Sequence, residues 1–276
     1  MSEPANIDAL MPAEMAEKAE AVGVRKASLG ALTTLALGVL AGAFIALGAV
    51  FSTVVTAGGG MPPGVSRLVG GVVFSLGLIL VVIAGAELFT GNNLIVMAWA
   101  NRKVSTLRLL RNWGIVYVGN MLGAGATAVL VFLSGHWKFM GGAIGANALA
   151  IAEHKCSLPF VDALFLGILC NALVCLAVWL SFSARTAADK VLVIVPPIAA
   201  FVAAGFEHSI ANMYFVPVAI LIRDFGGLEG GATHNSVTWM GFARNLLPVT
   251  IGNIIGGGVM VGLVYWFIYL RGRKQT

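Results

Sequence analysis

The sequence predicts an all-α polytopic membrane protein: six transmembrane helices in an inverted three-plus-three repeat, two of them broken. Three observations lead there. Apolar residues fill 59% of the 276 positions and charged residues only 11%, against about 25% charge in a soluble domain, so a water-soluble enzyme is excluded. Six apolar stretches each reach about 20 residues, enough to cross ~30 Å of hydrocarbon. One residue pattern occurs twice, in order, along the chain.

Residues 1–27 contain Glu3, Asp8, Glu14, Glu17 and Glu20 and no apolar run. A cytoplasmic amphipathic helix is expected there, not a signal peptide, and the first span itself directs insertion. The transmembrane domain covers 28–270, with spans near 28–55, 69–100, 109–134, 160–183, 191–222 and 245–270. A short tail, 271–276, follows.

With both termini cytoplasmic, the inner segments hold Lys18, Arg25, Lys26, Arg102, Lys103, Arg108, Arg111, Arg185, Lys190, Arg271, Arg273 and Lys274. Only Arg67, Lys138, Lys155, Arg223 and Arg244 fall outside. Short-loop Lys and Arg stay cytoplasmic, and this bias sets the orientation. It also accounts for the net charge of +5 without a nucleic-acid partner, since no basic binding patch forms. Cys156, Cys170 and Cys175 are too few and too oddly spaced for a disulfide framework or a zinc site. No metal cluster, phosphate loop or nucleophile triad is present, so neither a cofactor nor an enzyme activity is expected.

The repeats, about 28–134 and 160–270, rest on three segments. Arg111-Asn112, Gly119-Asn120, Gly123 and Gly125 recur 133 residues on as Arg244-Asn245, Gly252-Asn253, Gly256 and Gly258. Gly85-x-Glu87 with Asn92 recurs 120 residues on as Gly205-x-Glu207 with Asn212. Leu37-Gly38 with Leu40 recurs as Leu166-Gly167 with Leu169. Because each copy has three spans, the second enters from the opposite side, as in channels and transporters with a midplane site.

Span two is broken at Gly85-Ala86-Glu87-Leu88-Phe89-Thr90-Gly91-Asn92-Asn93, and span five at Gly205-Phe206-Glu207-His208-Ser209-Ile210-Ala211-Asn212. Such breaks are tolerated in a membrane only where the freed backbone lines a cavity or is buried in protein. They mark the expected permeation path. Glu87 and Glu207 each cost roughly 2.5 to 3.5 kcal/mol at mid-bilayer if charged; one reading has them accept hydrogen bonds and hold the loops, the other has them relay protons. His208 lies in a break, where an imidazole can exchange protons with a weak acid. Thr90 offers a hydroxyl to a small polar permeant. Asn120 and Asn253 read as interhelical hydrogen bonds among glycines, and Asn92 and Asn212 as loop and packing residues. Asn171 faces Gly42 in the repeat, so symmetry does not require it and a pore contact is open. Lys155 either draws anions into a vestibule or is simply solvated. Phe74, Leu78, Phe89 and Phe201 could form apolar collars or ordinary packing.

The segments Gly205 to Met213, Pro248 to Gly258 and Leu169 to Trp179 resemble the formate/nitrite transporter family, and the likeness covers nearly the whole chain. It implies an aquaporin-like fold, a pore through each protomer, a homopentamer, and the cytoplasmic (inner) membrane of a bacterium. The expected permeant is formate or a similar small monovalent anion, with nitrite or hydrosulfide as the alternative. By this resemblance His208 is the central pore histidine, Thr90 faces it, Lys155 attracts anions outside, and Asn171 and Glu207 are polar partners. Phe74, Leu78, Val174 and Phe201 correspond to the constrictions, with Leu88 and Phe89 on the loop that approaches them. Met11, Met15 and Val22 of the N-terminal helix would face the pore mouth. Gly91-Asn92-Asn93 follows the wider family pattern. The expected mechanism concentrates an anion at Lys155 and protonates it through His208, so that it crosses the collars neutral. A membrane-embedded enzyme and a membrane anchor are the competing classes; an anchor has no need of two polar breaks.

Overall fold

Pro12 opens the first helix of a computed structural model that describes residues 9–228 and 233–272 and contains no strand among them. Glu3, Asp8, Arg273 and Lys274 lie outside the described residues. Helix α1 (Pro12–Ser28) carries Glu14 in its first turn and Arg25 and Lys26 in its last, the charge order a helix dipole favours. Helix α2 (Ala31–Thr56) follows after a two-residue link. Helix α3 (Pro63–Gly85) begins on Pro63 and finishes in a π-helical stretch, Leu80–Gly85. Helix α4 consists of the short pieces Phe89–Asn92, Asn93–Ile95 and Val96–Ala100. Then come α5 (Thr106–Leu133), α6 (Ala143–Cys156), α7 (Phe160–Ser183), α8 (Ala187–Ala204) and α9 (Ser209–Phe225). The last, α10, spans Trp239–Tyr269 and is π-helical over Ile255–Leu263.

Six of these, α2, α3, α5, α7, α8 and α10, are long and apolar enough to cross a membrane. The expected spans 69–100 and 191–222, each read with an interruption, start earlier than expected. Their crossing helices are Pro63–Gly85 and Ala187–Ala204, because Pro63 and the Thr186 cap start each helix earlier than hydropathy alone suggests. Both end on a glycine with positive φ, Gly85 at +86° and Gly205 at +75°, a conformation in which a side chain is strained. Extended backbone at Ala86 and Leu88, and again at His208, separates them from α4 and α9.

Helix α2 packs on α5, and α7 on α10. At Gly123 and Gly256 a Cβ would run into the carbonyls of Val39 and Ile168 respectively, so each pair approaches backbone to backbone. The core runs through Ile45, Phe74, Leu78, Val174, Ile198, Phe201 and Ile210. Leu32, Leu107, Leu133 and Leu192 lie on the outer surface, each at least 70% exposed, as a lipid-facing surface requires. Helix α9 is the opposite case: Ser209 through Ile220 is buried without interruption.

Candidate functional site

Each extended link is held by one asparagine. Asn120 Nδ2 donates to the carbonyls of Gly38 (2.8 Å) and Glu87 (2.9 Å), while its Oδ1 accepts the Phe89 N–H (2.9 Å). Asn253 Nδ2 donates to Gly167 (2.8 Å) and Glu207 (3.0 Å), and its Oδ1 accepts the Ser209 N–H (2.9 Å). The N–H groups of Glu87 and Glu207 donate to the carbonyls of Leu37 and Leu166. Backbone groups freed by the end of the helix are therefore satisfied within the protein.

The carboxylates repeat the pattern. Glu207 Oε1 accepts from Lys155 Nζ at 2.7 Å and Oε2 from Asn212 Nδ2 at 2.7 Å; Asn212 also donates to Asn245 Oδ1, and Asn245 to the Lys155 carbonyl. On the other side Glu87 accepts from Lys26 Nζ at 2.9 Å and from Asn92 Nδ2 at 2.6 Å; Asn92 donates to Asn112 Oδ1, and Asn112 to the Lys26 carbonyl. Buried charges persist only when paired and hydrogen-bonded in this way. One difference stands out: Lys26 Nζ also donates to Asn92 Oδ1 at 2.9 Å, whereas the buried Asn212 Oδ1 has no partner. Lys155 instead lies 5.5 Å from the Phe215 ring centroid.

Two cavities open at opposite ends of α2. The α6-side cavity, about 460 Å³, is lined by Arg67, Phe74, Lys155, Phe201, Glu207 and His208 among others. The α1-side cavity, about 480 Å³, is lined by Lys18, Arg25, Lys26, Leu78, Glu87, Leu88 and Lys190 among others. Burial first, and then the charges of Arg185 and Lys190, hold the Lys18 ammonium pKa below its usual value. Apolar residues floor both cavities. Phe74 and Phe201 meet edge to face at 5.7 Å, and Leu78 and Leu88 are each 2% exposed.

His208 lies beneath the Phe201 ring, with centroids 5.9 Å apart and the planes within 19°. Its Nε2 is 3.1 Å from Thr90 Oγ1, and its Nδ1 accepts the Ala211 N–H at 3.1 Å as the N-cap of α9. An Nδ1 that accepts leaves the ring proton on Nε2, so Nε2–H donates to Thr90 Oγ1. The Thr90 hydroxyl proton is then left to donate onward.

Asn171 Nδ2 lies within 3.2 Å of the Thr90 carbonyl, Asn93 Oδ1 and the Asn253 carbonyl. It ties α4 to α10 and lines neither cavity. Four further expected positions, Phe89, Val174, Met11 and Met15, are like Thr90 not among the residues that line the two cavities. Phe89 lines neither cavity; it packs edge to face on Tyr117 at 4.9 Å and Trp113 at 6.1 Å, because the Asn120 bond to its N–H turns the side chain toward α5. Val174 is buried in the core, away from both cavities. Of Met11, Met15 and Val22, only Val22 lines the α1-side cavity; Met15 packs with Met97 and Trp179 and Met11 is exposed.

Sequence reasoning missed Lys26, Asn112 and Asn245 as partners of the carboxylates. The signal was present: Lys155 follows Lys26 by the 129 residues that separate Leu37-Gly38 from Leu166-Gly167. The repeat therefore extends to α1 and α6.

Two charged cavities facing each other across an apolar floor, inside a bundle of membrane-length helices, define a membrane channel or transporter for a small solute. The chain belongs to the formate/nitrite transporter family, whose profile matches residues 13–267. It is 50% identical over 273 residues to the formate channel FocA of Escherichia coli, covering 96% of each chain. It is 40% identical over 264 residues to FocA of Haemophilus influenzae, covering 92% of this chain and 93% of that one. Among solved structures, a pentameric formate channel with formate bound superposes with a TM-score of 0.82 at 47% identity, over 87% of this chain and 98% of that one. An ion channel of the same family gives 0.79 at 30% identity, over 92% and 98%.

Proposed function

We propose that this protein is a formate channel, assembled as a homopentamer in the bacterial cytoplasmic membrane with both termini inside and a pore through each protomer. Nitrite and hydrosulfide, which share charge and size with formate, are the alternative permeants. The α3–α4 and α8–α9 segments are read as two interrupted membrane helices from copies of opposite topology, in an aquaporin-like arrangement. The duplicated bonds of Asn120 and Asn253, and of Glu87 and Glu207, support that reading. The orientation rests on the distribution of Lys and Arg.

The carrying observation is the Thr90 to His208 contact, 3.1 Å long, beside apolar collars that separate two cation-lined cavities. Moving a bare carboxylate-sized ion into such a collar has an idealised cost of order 20 kcal/mol, which a neutral acid avoids. Formate entering the α6-side cavity meets the Lys155 ammonium, takes up a proton from the water of that cavity and passes the collar as formic acid. Thr90 Oγ1–H, oriented by the Nε2–H that donates to its oxygen, replaces water as the hydrogen-bond donor during the crossing. On the far side the acid releases its proton where Lys26 stabilises the anion. Flux runs in either direction along the combined gradient.

Protonation through His208 itself is the second reading, favoured by the ring's place at the collar. It requires Nδ1 to carry a proton and so to give up the Ala211 N–H bond that caps α9. A His208→Asn channel in vesicles separates the two. The capped, neutral ring predicts maximal formate flux at least about tenfold lower with an unchanged pH profile, as expected for loss of a positioned donor; a relay through the ring predicts a flattened profile.

A further inference from the structure

One lysine in each cavity is committed to a carboxylate. Lys155 Nζ lies 2.7 Å from Glu207 Oε1, with the two side chains 12% and 2% exposed, and Lys26 Nζ lies 2.9 Å from Glu87 Oε1. Each pair is close to neutral when seen from a distance, so its reach into solution is that of a dipole. Further cations face each cavity: Arg67 on the α6 side, and Lys18, Arg25 and Lys190 on the α1 side. Arg67, in the second turn of α3, lines the α6-side cavity, and Lys190, in the first turn of α8, lines the α1-side cavity. Neither side chain has a carboxylate within ion-pair distance among the described residues. Arg67 Nη1 stands 4.0 Å from where a Cβ on Gly205 would be, above the turn that leads to Glu207 and His208.

We propose that Arg67 is the residue that captures the carboxylate anion at the α6-side mouth, with Lys190 and Arg25 together in the same role at the α1 side. Lys155 and Lys26 receive the anion only after that encounter. This rests on the anion-channel reading above and adds to it the capture step. An unpaired charge at a cavity mouth attracts counter-ions over a Debye length, about 30 Å in 0.01 M salt and about 8 Å in 0.15 M, and low-dielectric walls focus the field. A guanidinium also presents two parallel N–H donors that match a carboxylate, which an ammonium does not.

The test is formate uptake by proteoliposomes carrying wild type, Arg67→Gln, Arg67→Lys or Lys190→Gln, measured against formate concentration at low and at physiological ionic strength. Thermal unfolding of each variant is followed in parallel. Arg67→Gln is expected to raise KM about fivefold at low salt, to keep maximal flux within about twofold, and to lose most of the salt dependence. Arg67→Lys keeps the salt dependence, with a smaller rise in KM. An Arg67→Gln protein with wild-type KM and wild-type salt dependence overturns the proposal. So does an equal loss of maximal flux and thermal stability in the Gln and Lys variants, which marks Arg67 as a brace for the end of α8. Wild-type vesicles that conduct no anion overturn the channel reading itself, a result distinct from either.

Discussion

Tyr117 Oη and Thr250 Oγ1 lie 2.9 Å apart, and Thr250 follows Tyr117 by the 133 residues that separate Asn120 from Asn253. Equivalent residues of two copies related by a twofold axis touch each other only on that axis. The contact thus locates the axis between α5 and α10 if the halves are inverted copies. Tyr117→Phe and Thr250→Val should each cost about 0.5 to 1.5 kcal/mol, and the double variant no more than either alone. Unfolding in detergent by a double-mutant cycle checks this.

The six crossing helices were legible because hydropathy and length decide them. The matching sequence segments stand out where glycines and asparagines are constrained by close backbone approach, as at Gly123, Gly256, Asn120 and Asn253. It faded over α1 and α6, where only small residues such as Ala19 and Ala148 need to match, and Lys26 went unnoticed with it. The packing of Phe89 on Tyr117 and Trp113 was not legible, because its backbone is held by a side-chain bond from Asn120, 31 residues away, which no local pattern records. His208 and Thr90 could each be singled out in sequence. Their contact, and the Ala211 cap that fixes the ring proton, needed coordinates.

Glu207 is the carboxylate more tightly enclosed, at 1% exposure against 6% for Glu87. Removing one member of a buried ion pair leaves an uncompensated charge and costs about 3 to 5 kcal/mol. Glu207→Ala should fall in that range, while Glu207→Gln, which still accepts hydrogen bonds from Asn212 and Asn245, should cost about half as much. Thermal unfolding of the purified variants measures the difference.

Gly256→Val and Gly123→Val should each weaken the bundle, because the added atoms meet the Ile168 and Val39 carbonyls. Overpacking of this kind costs about 1 to 3 kcal/mol or more. Size-exclusion chromatography and melting temperature report it. Gly125, where a Cβ meets nothing within 4 Å, is the control: Gly125→Ala should leave both unchanged.

Lys26 makes α1 part of the pore lining, so Lys26→Met should reduce formate flux although it lies outside the crossing helices. It leaves Glu87 buried with only Asn92 as its side-chain donor. A loss of about tenfold in flux is expected, because the anion then meets an unpaired Glu87 carboxylate instead of a lysine beside the collar. Vesicle uptake measures it, and Lys26→Arg should restore most of the flux.

Thr90→Val removes the hydroxyl next to His208 Nε2 at nearly constant volume, and Thr90→Ser retains it. The valine variant should lose formate flux by about tenfold or more, as when a donor positioned at the reacting group is removed, while the serine variant stays within about threefold of wild type. Equal flux in all three would remove Thr90 from the path.

The central claim is passage of formate through this protein, and reconstituted flux tests it most directly. Vesicles carrying the purified protein are given formate at acid and at neutral pH, and the leak of formic acid through protein-free vesicles is subtracted. The account predicts formate flux well above that leak, larger at acid pH, and reduced by Thr90→Val. Flux equal to the leak at both pH values, with nitrite and hydrosulfide also silent and with α1 removed as a possible block, would contradict it.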